Sequence, residues 1–285
     1  MQTSTGNRDM SQSPPRLQAV VFDWAGTTID FGSLAPAGVF REIFQQEGVE
    51  ITVAQAREPM GRAKREHIRA ILDMPDVSTR WESIQGAQAT EADIDRMYEH
   101  FLPLQLQVLS KHSALIPGVV ETVSDCRKRG MKIGSSTGYT HELMEVVLPL
   151  AKAQGYEPDC VLCAGDTPAG RPKPWMLFEA AKRMDVYPMD TVVKVDDTLV
   201  GIEAGHNAGC WTVAVTMSGN ELGLTEAQLA ELCVDERVAR KTAIEQKFAS
   251  VRPHYLIESV ADLPEVLENI EARLRAGESP RVICS

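Results

Sequence analysis

Short apolar segments alternate with longer segments of helical character over the second half of the chain, and this alternation restricts the possible folds more than any other feature. The apolar segments are MKIGSS, CVLCAG, TVVKVD, WTVAVT and HYLIE, and their length and β-branched residues favour strands. The first helical segment is bounded by Pro117 and Gly130, which are typical of helix ends. Repeated strand–helix units with apolar strands predict an α/β fold, in which helices cover both faces of a parallel sheet.

The N-terminal part of the chain has a different pattern. The apolar run AVVFDW predicts a first, buried strand, whereas the following eighty or so residues contain helix-like stretches and no comparable apolar run. We therefore predict a doubly wound, Rossmann-like core with a helical cap inserted after its first strand, and a disordered, polar N-terminal tail. The predicted bounds are 1–16 for the N-terminal tail, 17–32 and 111–275 for the core, 33–110 for the cap and 276–285 for a C-terminal tail.

The balance of 29 Lys and Arg against 40 Asp and Glu gives the chain a formal net charge of −11 at pH 7. A negative protein repels nucleic-acid phosphates and anionic membrane surfaces, so we expect neither as a partner. No stretch is long and apolar enough to span a bilayer, and the N-terminal residues lack the apolar middle of a signal peptide. These features predict a cytoplasmic enzyme, and they leave room for a small anionic substrate held by local cations or a metal ion.

Cys160 and Cys163 form a CxxC sequence, which occurs in redox motifs and in zinc sites. The segment DCVLCAG has the pattern of a buried strand, on which residues three apart point to opposite faces. No second CxxC completes a four-ligand zinc set. We therefore expect two buried thiols.

Polar residues follow four of the predicted strands at the point where each strand ends. Asp23 follows the first strand, Thr137 the second, a basic loop after Gly165 the third, and Asp196 and Asp197 the fourth. The carboxyl ends of parallel strands share one edge of the sheet, where ligands bind near a switch in strand order, so these residues are candidates for a single site. A carboxylate such as that of Asp23 attacks phosphorus when a metal ion and cations hold the phosphate in line, although an Asp here can instead cap the following turn.

The predicted cap contributes the segment PMGRAKREH. If a helix begins near Gly61, Lys64 and His67 lie three residues apart on one face, with Met60 one turn before them. A Lys with a lowered pKa forms a Schiff base with an aldehyde or ketone, and burial and neighbouring Arg residues both lower that pKa. Because most helix lysines are solvated surface charges, Lys64 is a candidate nucleophile only in combination with the Asp23 motif.

The motifs after the strands together resemble those of the haloacid dehalogenase superfamily of phosphoryl-transfer enzymes, from about Leu17 to the last helix. Phosphatases of that superfamily usually carry a second Asp two residues after the nucleophile, which protonates the leaving group, and this chain has Ala25 there. Within the superfamily, the segments DWAGTT, PMGxxK, GSSTGY, AGRPxPWM and YPM resemble the phosphonoacetaldehyde hydrolase family. An enzyme that cleaves a carbon–phosphorus bond needs an amine to stabilise the carbanion and has no use for the second Asp.

This resemblance implies hydrolysis of the carbon–phosphorus bond of phosphonoacetaldehyde, in the degradation of 2-aminoethylphosphonate. It implies that Lys64 forms a Schiff base with the aldehyde carbon and that Asp23 takes the phosphoryl group as an aspartyl phosphate. His67 and Met60 would assist proton movement, although a His at this place can instead position a water molecule. Further substrate contacts are implied for Gly61, Ser136, Gly138 and Tyr139. Members of the family are homodimers through the cap, so we expect a dimer here.

The resemblance also places Thr137 and Arg171 beside the phosphoryl group. Thr137 would hydrogen-bond the phosphoryl oxygens, and the alternative is that it caps the helix beginning near His141. Arg171 would neutralise Asp23 and the phosphoryl group with its planar set of donors, and Lys173 is the competing cation.

The segment KVDDT supplies the metal ligands that the resemblance implies. By alignment with the family, Asp197 binds one Mg²⁺ together with Asp23 and the carbonyl oxygen of Ala25, because hard oxygen ligands suit this ion. Asp196 stands where Gly is common in the family, and Gly201 stands where many relatives have Asp. The division of metal binding between Asp196 and Asp197 therefore stays open at this point, and Asp196 can alternatively be a helix N-cap.

Two other functions are compatible with parts of the sequence. A phosphatase or phosphomutase of the same superfamily would act on a small phosphate ester, but Ala25 would leave the departing alkoxide without its acid. A binding protein that had lost catalysis would have no reason to keep a reactive Lys opposite a reactive Asp.

Overall fold

The computed structural model describes residues 16–280, so the predicted N-terminal tail (apart from Arg16) and residues 281–285 of the predicted C-terminal tail lie outside the described residues. The strands are β1 (Ala19–Phe22), β2 (Lys132–Ser136), β3 (Cys160–Leu162), β4 (Val192–Asp196), β5 (Trp211–Val215) and β6 (Tyr255–Ile257). They form one sheet in the order β3-β2-β1-β4-β5-β6, and every pair in it is parallel. The predicted α/β fold with a doubly wound parallel sheet is confirmed.

The helices fall into one group inserted between β1 and β2 and a second group that connects the other strands. The inserted helices are α1 (Leu34–Gln46), α2 (Val53–Arg57), α3 (Lys64–Leu72), α4 (Pro75–Gln85) and α5 (Glu91–Leu109). The others are α6 (Val119–Lys128), α7 (His141–Ala153), α8 (Trp175–Met184), α9 (Leu199–Ala208), α10 (Glu226–Glu231), α11 (Val234–Phe248) and α12 (Leu263–Arg275). Short 3₁₀ helices cover Ser110–His112, Met189–Thr191 and Val260–Asp262. Within residues 16–280, no helix is both long enough and apolar enough to span a bilayer.

The strands are buried on both faces because helices pack against each side of the sheet. Val20 and Phe22 of β1 pack in one cluster with apolar residues of α6, α7 and α12, whereas Ala19 and Val21 pack in another with residues of α8 and α9. Side chains alternate between the faces of a strand, so both faces of β1 must be apolar. Two-sided burial explains why its sequence is a continuous apolar run.

The inserted helices, called the helical domain below, have a hydrophobic core of their own. Phe40 and Phe44 of α1 pack with Ile68 of α3, Trp81 of α4 and Phe101 of α5. Phe40 and Phe101 have ring centroids 4.6 Å apart at an angle of 36°. Burial of several aromatic side chains stabilises such a small unit, and α3, which carries Lys64, is held by this core.

The structure differs from the sequence-based expectations in two places. The helix that carries Lys64 begins at Lys64 itself and not near Gly61, because Gly61 has φ +91°, outside the helical range. A helical pair, α10 and α11, lies between β5 and β6 and was not predicted, since α11 is largely exposed and has a weak apolar stripe. Cys160 and Cys163 are buried free thiols, as expected.

The strand order places β1 beside both β2 and β4. The connections from β1 therefore run in opposite directions along the sheet at this point, which opens a crevice at the carboxyl ends of β1 and β4. Polar residues that follow these two strands must meet there.

Candidate active site

Three aspartates lie together at the carboxyl ends of β1 and β4. Asp23 follows β1 and Asp196 ends β4, and because these strands are neighbours the N–H of Asp23 donates to the carbonyl oxygen of Val195 at 3.0 Å. Asp23, Asp196 and Asp197 each offer one carboxylate oxygen, and these oxygens lie within 4.8 Å of one another. All three residues are buried. Such a group of carboxylates away from solvent requires nearby cations.

Arg171 provides a cation to two of these carboxylates. Its Nη2 donates to Oδ1 of Asp23 at 2.6 Å, and its Nη1 lies 3.2 Å from Oδ2 of Asp196. The guanidinium also donates to the carbonyl oxygen of Ser136. Arg171 is buried, whereas the competing cation Lys173 is exposed. The geometry therefore favours Arg171 over Lys173 as the cation of this site.

A second buried cation, Lys194, pairs with Asp196. The Nζ atom of Lys194 lies 2.9 Å from Oδ2 of Asp196, and the backbone N–H and hydroxyl of Thr198 donate to Oδ1 at 3.0 and 2.7 Å. Burial by itself raises the pKa of Asp196, but Arg171 and Lys194 outweigh this effect and hold the pKa below its usual range. Asp196 is thus an ionised partner of two cations. The N-cap of α9 is Thr198, so the alternative of Asp196 as its N-cap is wrong.

Among residues 16–280, no cation forms an ion pair with Asp197 like those that Asp23 and Asp196 make. Its carboxylate accepts hydrogen bonds from the backbone N–H of Asn220 at 2.7 Å and from the hydroxyl of Thr27 at 3.3 Å. Burial, and then the negative charges of Asp23 and Asp196, raise the pKa of Asp197 well above its usual range. A positive charge placed beside Asp197 would therefore stabilise its ionised form.

The space around Asp197 suits a small cation held by oxygen ligands. A Cβ atom on Gly26 would lie 2.0 Å from Oδ2 of Asp197, and one on Gly219 would lie 2.5 Å from its Cβ, so backbone closes around the carboxylate on two sides. The donors at hand are carboxylate oxygens, which are ligands of hard divalent cations. Asp23 and Asp197, with their excess of negative charge, therefore fit a divalent metal ion.

Lys64 of the helical domain reaches the same site from the opposite side. It is the first residue of α3 and is only 4% exposed. Its Nζ lies 5.5 Å from the ring centroid of Phe40, 5.7 Å from that of Phe101 and 5.0 Å from that of Tyr139. Burial lowers the pKa of Lys64 to about 7, with Asp23 opposing the shift and Arg171 adding to it. A substantial fraction of this amine is therefore neutral and nucleophilic near neutral pH.

His67 lies one turn after Lys64 and is completely buried. Its ring stacks on Phe40 with a centroid distance of 3.6 Å, and its Nε2 lies 2.9 Å from the carbonyl oxygen of Ala56. Because a carbonyl only accepts, Nε2 carries the proton and Nδ1 has a free lone pair. Burial and the charge of Lys64 lower the pKa of His67 well below its usual range, so the ring is neutral.

A small cavity lies between the helical domain and the core. Its free volume is about 20 Å³, close to that of one water molecule, so a larger substrate requires this space to widen. The cavity is lined by Asp23, Ala25, Ser33, Pro36, Met60, Gly61, Arg62, Lys64, Thr137, Gly138, Tyr139, Arg171 and Thr198. Of the sequence-predicted residues, His67, Ser136, Asp196 and Asp197 lie outside this lining.

The loop after β2 brings Thr137, Gly138 and Tyr139 to the cavity. The hydroxyl of Thr137 accepts from the backbone N–H of Tyr139 at 3.1 Å, and the N-cap of α7 is Thr140, so the alternative of Thr137 as the cap of that helix is wrong. The hydroxyl of Ser136 contacts Nζ of Lys194 at 3.1 Å. Ser136 therefore orients the buried cations, whereas Thr137 faces the cavity.

Several residues of the site had no assigned role in the sequence analysis. Lys194 could have been recognised, because a Lys in the middle of an apolar strand is unusual and indicates a buried, paired cation. Thr27 lies inside the DWAGTT segment but donates to Asp197, 170 positions away. Asn220 lies in a loop with no recognisable pattern, and only the folded structure shows its contact with Asp197.

Comparisons with known proteins agree with this geometry. The haloacid dehalogenase-like hydrolase family matches residues 17–209. A phosphonoacetaldehyde hydrolase of Paraburkholderia phytofirmans is 46% identical over 93% of this chain and 99% of its own. That of Bacillus cytotoxicus is 46% identical over 90% of this chain and 97% of its own.

A solved structure extends the similarity to three dimensions. The crystal structure of a phosphonoacetaldehyde hydrolase-like protein from Oleispira antarctica has a TM-score of 0.92 and 43% identity, over 96% of this chain and 100% of the other. A β-phosphoglucomutase from Clostridium difficile, with a TM-score of 0.64 and 18% identity, shares the fold. The chain belongs to the haloacid dehalogenase-like hydrolases and, within them, to the phosphonoacetaldehyde hydrolase family.

Proposed function

We propose that this enzyme hydrolyses the carbon–phosphorus bond of phosphonoacetaldehyde to give acetaldehyde and phosphate, through a Schiff base on Lys64 and an aspartyl phosphate on Asp23. One observation carries the proposal: a buried Lys with a pKa of about 7 and a carboxylate at the end of β1 line the same small cavity. An amine and a carboxylate placed in this way can act on adjacent atoms of one small substrate.

The first step belongs to Lys64. Its neutral amine attacks the aldehyde carbon, and loss of water leaves a protonated imine, which withdraws electrons from the neighbouring carbon. Phe40, Phe101 and Tyr139 exclude water from the amine and so keep it neutral and reactive. Tyr139 and Met60 also line the cavity, where they limit the size of the aldehyde.

The second step belongs to Asp23. Its carboxylate attacks phosphorus, the carbon–phosphorus bond breaks, and the electron pair passes to the protonated imine on Lys64, which becomes an enamine. Arg171 orients Asp23 through Oδ1 and neutralises the transferred phosphoryl group. Protonation of the enamine carbon gives the imine of acetaldehyde, and one water molecule hydrolyses this imine while another hydrolyses the aspartyl phosphate.

We further propose that the cation of this site is Mg²⁺, held by Asp23, Asp197 and the carbonyl oxygen of Ala25. When bound, the ion neutralises the phosphoryl oxygens and positions them for in-line attack. Asp196 then pairs with Arg171 and Lys194, and we assign it no direct metal contact because these two buried cations already neutralise its charge.

Ala25 explains why the proposed reaction is not that of an ester phosphatase. It lines the cavity beside Asp23 but offers only a methyl side chain, which donates no proton to an alkoxide. The protonated imine on Lys64 instead takes up the electron pair of the broken bond and becomes an enamine, so no acid is required at that position.

Borohydride reduction followed by mass spectrometry tests the proposal. Incubation with phosphonoacetaldehyde and borohydride should add a stable reduced adduct at Lys64, and Asp23→Asn should still form it while releasing no phosphate. A chain that releases phosphate from esters and forms no adduct would be a phosphatase. The homodimer through the helical domain, the cytoplasmic location and the role in 2-aminoethylphosphonate degradation stay predictions, the first testable by sedimentation of the purified protein.

A further inference from the structure

Arg57 joins the helical domain to the core at a point away from the substrate cavity. It is the last residue of α2 and lies four residues before Gly61. Its Nη1 donates to the carbonyl oxygens of Gly32 and Asn220 at 2.8 and 2.9 Å, and it lies 3.2 Å from Oδ1 of Asn220. The contacts with Asn220 span 163 positions of sequence, so they depend on the two parts being docked.

Asn220 returns a hydrogen bond to Arg57. Its Nδ2 donates to the carbonyl oxygen of Arg57 at 3.2 Å. A Cβ on Gly223 would lie 2.8 Å from Cζ of Arg57, so the guanidinium packs directly on backbone of the same core loop. Arg57 and Asn220 thus exchange side-chain hydrogen bonds between the helical domain and the core.

Asn220 also holds Asp197. Its backbone N–H donates to Oδ2 of Asp197 at 2.7 Å, and both residues are buried. The neighbouring Gly219 lies so close to Asp197 that a Cβ would meet it at 2.5 Å. The orientation of the Asp197 carboxylate is therefore set by the position of the loop that contains Gly219 and Asn220.

We propose that Arg57 and Asn220 form a latch that couples closure of the helical domain to the orientation of Asp197. This inference rests on the proposed function in one respect, that Asp197 is a metal ligand. Docking of Arg57 fixes the loop of Asn220, and the loop fixes the carboxylate. When the helical domain opens for substrate access, Arg57 leaves, and the loop and Asp197 gain freedom.

Thermodynamic linkage makes the coupling reciprocal. If closure improves the metal site, metal binding must favour closure to the same extent. Arg57 is thus a positioning residue that acts on the metal site through Asn220, without contact to substrate. Through this coupling, the metal site and Lys64 would both reach their working positions only when the helical domain is docked on the core.

Mg²⁺ affinity of the purified enzyme, measured by isothermal titration calorimetry without substrate, tests the latch. Arg57→Ala should raise the Kd for Mg²⁺ about tenfold, a typical coupling between sites, and Asn220→Ala should act in the same direction. Arg96→Ala is the matched control, because Arg96 pairs with Glu47 and Asp93 inside the helical domain, and it should leave the Kd unchanged. Arg57→Lys retains a donor and should give a smaller increase than Arg57→Ala.

A second readout follows closure directly. Lys64 is 4% exposed in the closed form, whereas Lys173 is exposed, so acetylation of Lys64 relative to Lys173, followed by mass spectrometry, reports opening. Mg²⁺ should slow acetylation of Lys64 in the wild type and have little effect in Arg57→Ala. If Asp197→Asn loses Mg²⁺ but Arg57→Ala keeps the wild-type Kd, the latch is overturned. If Arg57→Ala does not fold, an unchanged Kd in Arg57→Lys leads to the same conclusion. An unchanged Kd in Asp197→Asn would overturn the proposed metal site and the latch with it.

Discussion

The carboxyl group of Asp196 occupies the space that a side chain on Gly201 would need. A Cβ on Gly201 would lie 2.0 Å from Cγ of Asp196 and 2.1 and 2.2 Å from its two oxygens. Asp196 cannot move aside easily, because Lys194, Arg171 and Thr198 hold it. The two departures from the family pattern seen in the sequence are therefore one structural change, in which the acidic group comes from the strand instead of the helix.

Replacement of Gly201 by Ala should destabilise the protein by about 1–3 kcal/mol, as expected for overpacking of a closed interior. Urea denaturation followed by circular dichroism measures this. Gly38→Ala is the control, since Gly38 lies in α1 with no atom near a Cβ, and it should stabilise the protein by about 0.5–1 kcal/mol. A Gly201→Ala variant as stable as the wild type would contradict the shared space.

The double variant Asp196→Gly/Gly201→Asp should recover much of the stability that each single change loses. Its carboxylate would approach Lys194 and Arg171 from the helix and fill the same space. The free energies of unfolding of the two single variants and the double variant form a cycle, with an expected coupling of about 1 kcal/mol or more. Additive losses would mean that the two positions do not share one site.

Lys64→Arg should abolish turnover of phosphonoacetaldehyde while the fold is retained. A guanidinium keeps the positive charge but forms no imine under these conditions, so the electron pair of the carbon–phosphorus bond has no acceptor. Phosphate release measures the effect, and Lys173→Arg, at an exposed position, should behave as the wild type. Activity of Lys64→Arg near the wild-type level would rule out the Schiff-base mechanism.

The lowered pKa of Lys64 also predicts a pH dependence of imine formation. Below a pKa of about 7 the amine is protonated, so the rate of borohydride-trapped imine should fall about tenfold for each pH unit. Above this pH the rate should reach a plateau. A rate that keeps rising to pH 10 would mean that burial does not lower the pKa as the geometry requires.

Stability should respond to the same group. In the unfolded chain Lys64 keeps its proton up to its usual pKa of 10.5, whereas in the folded protein it loses the proton near pH 7. The unfolded state therefore binds more protons between these values, and the contribution of Lys64 to stability rises with pH across that window. Lys64→Met should raise Tm most at and below pH 7 and least near pH 10, and a uniform shift with pH would contradict this.

Asp197→Asn should weaken Mg²⁺ binding more than Asp196→Asn. The former removes a ligand charge, whereas the latter mainly disturbs Lys194 and Arg171. The increase in Tm on addition of Mg²⁺ measures binding for each variant. The reverse order would identify Asp196 as the main ligand.

The order of the strands, the fold class and the candidate site residues were accessible from the sequence, whereas the helices α10 and α11 were not. Parallel strands buried on both faces require continuous apolar runs, and residues that follow such strands must meet at one edge of the sheet. Asp23 and the pair Asp196 and Asp197 were therefore recognisable from their positions, whereas the choice of Arg171 and of Asp197 came from the family resemblance. Lys64 was recognisable through the combination of its segment with the Asp23 motif.

Other features were decided by contacts between residues far apart in the chain. The choice between Asp196 and Asp197 depends on Lys194, Thr198 and the absence of a side chain on residue 201, which local patterns do not reveal. The contacts of Asn220 with Arg57 and Asp197 join three separate segments. The pKa of Lys64 is set by its burial between the helical domain and the core. Local periodicity determines which elements form, whereas the charge state and orientation of a side chain depend on everything packed around it, and only the tertiary structure supplies those neighbours.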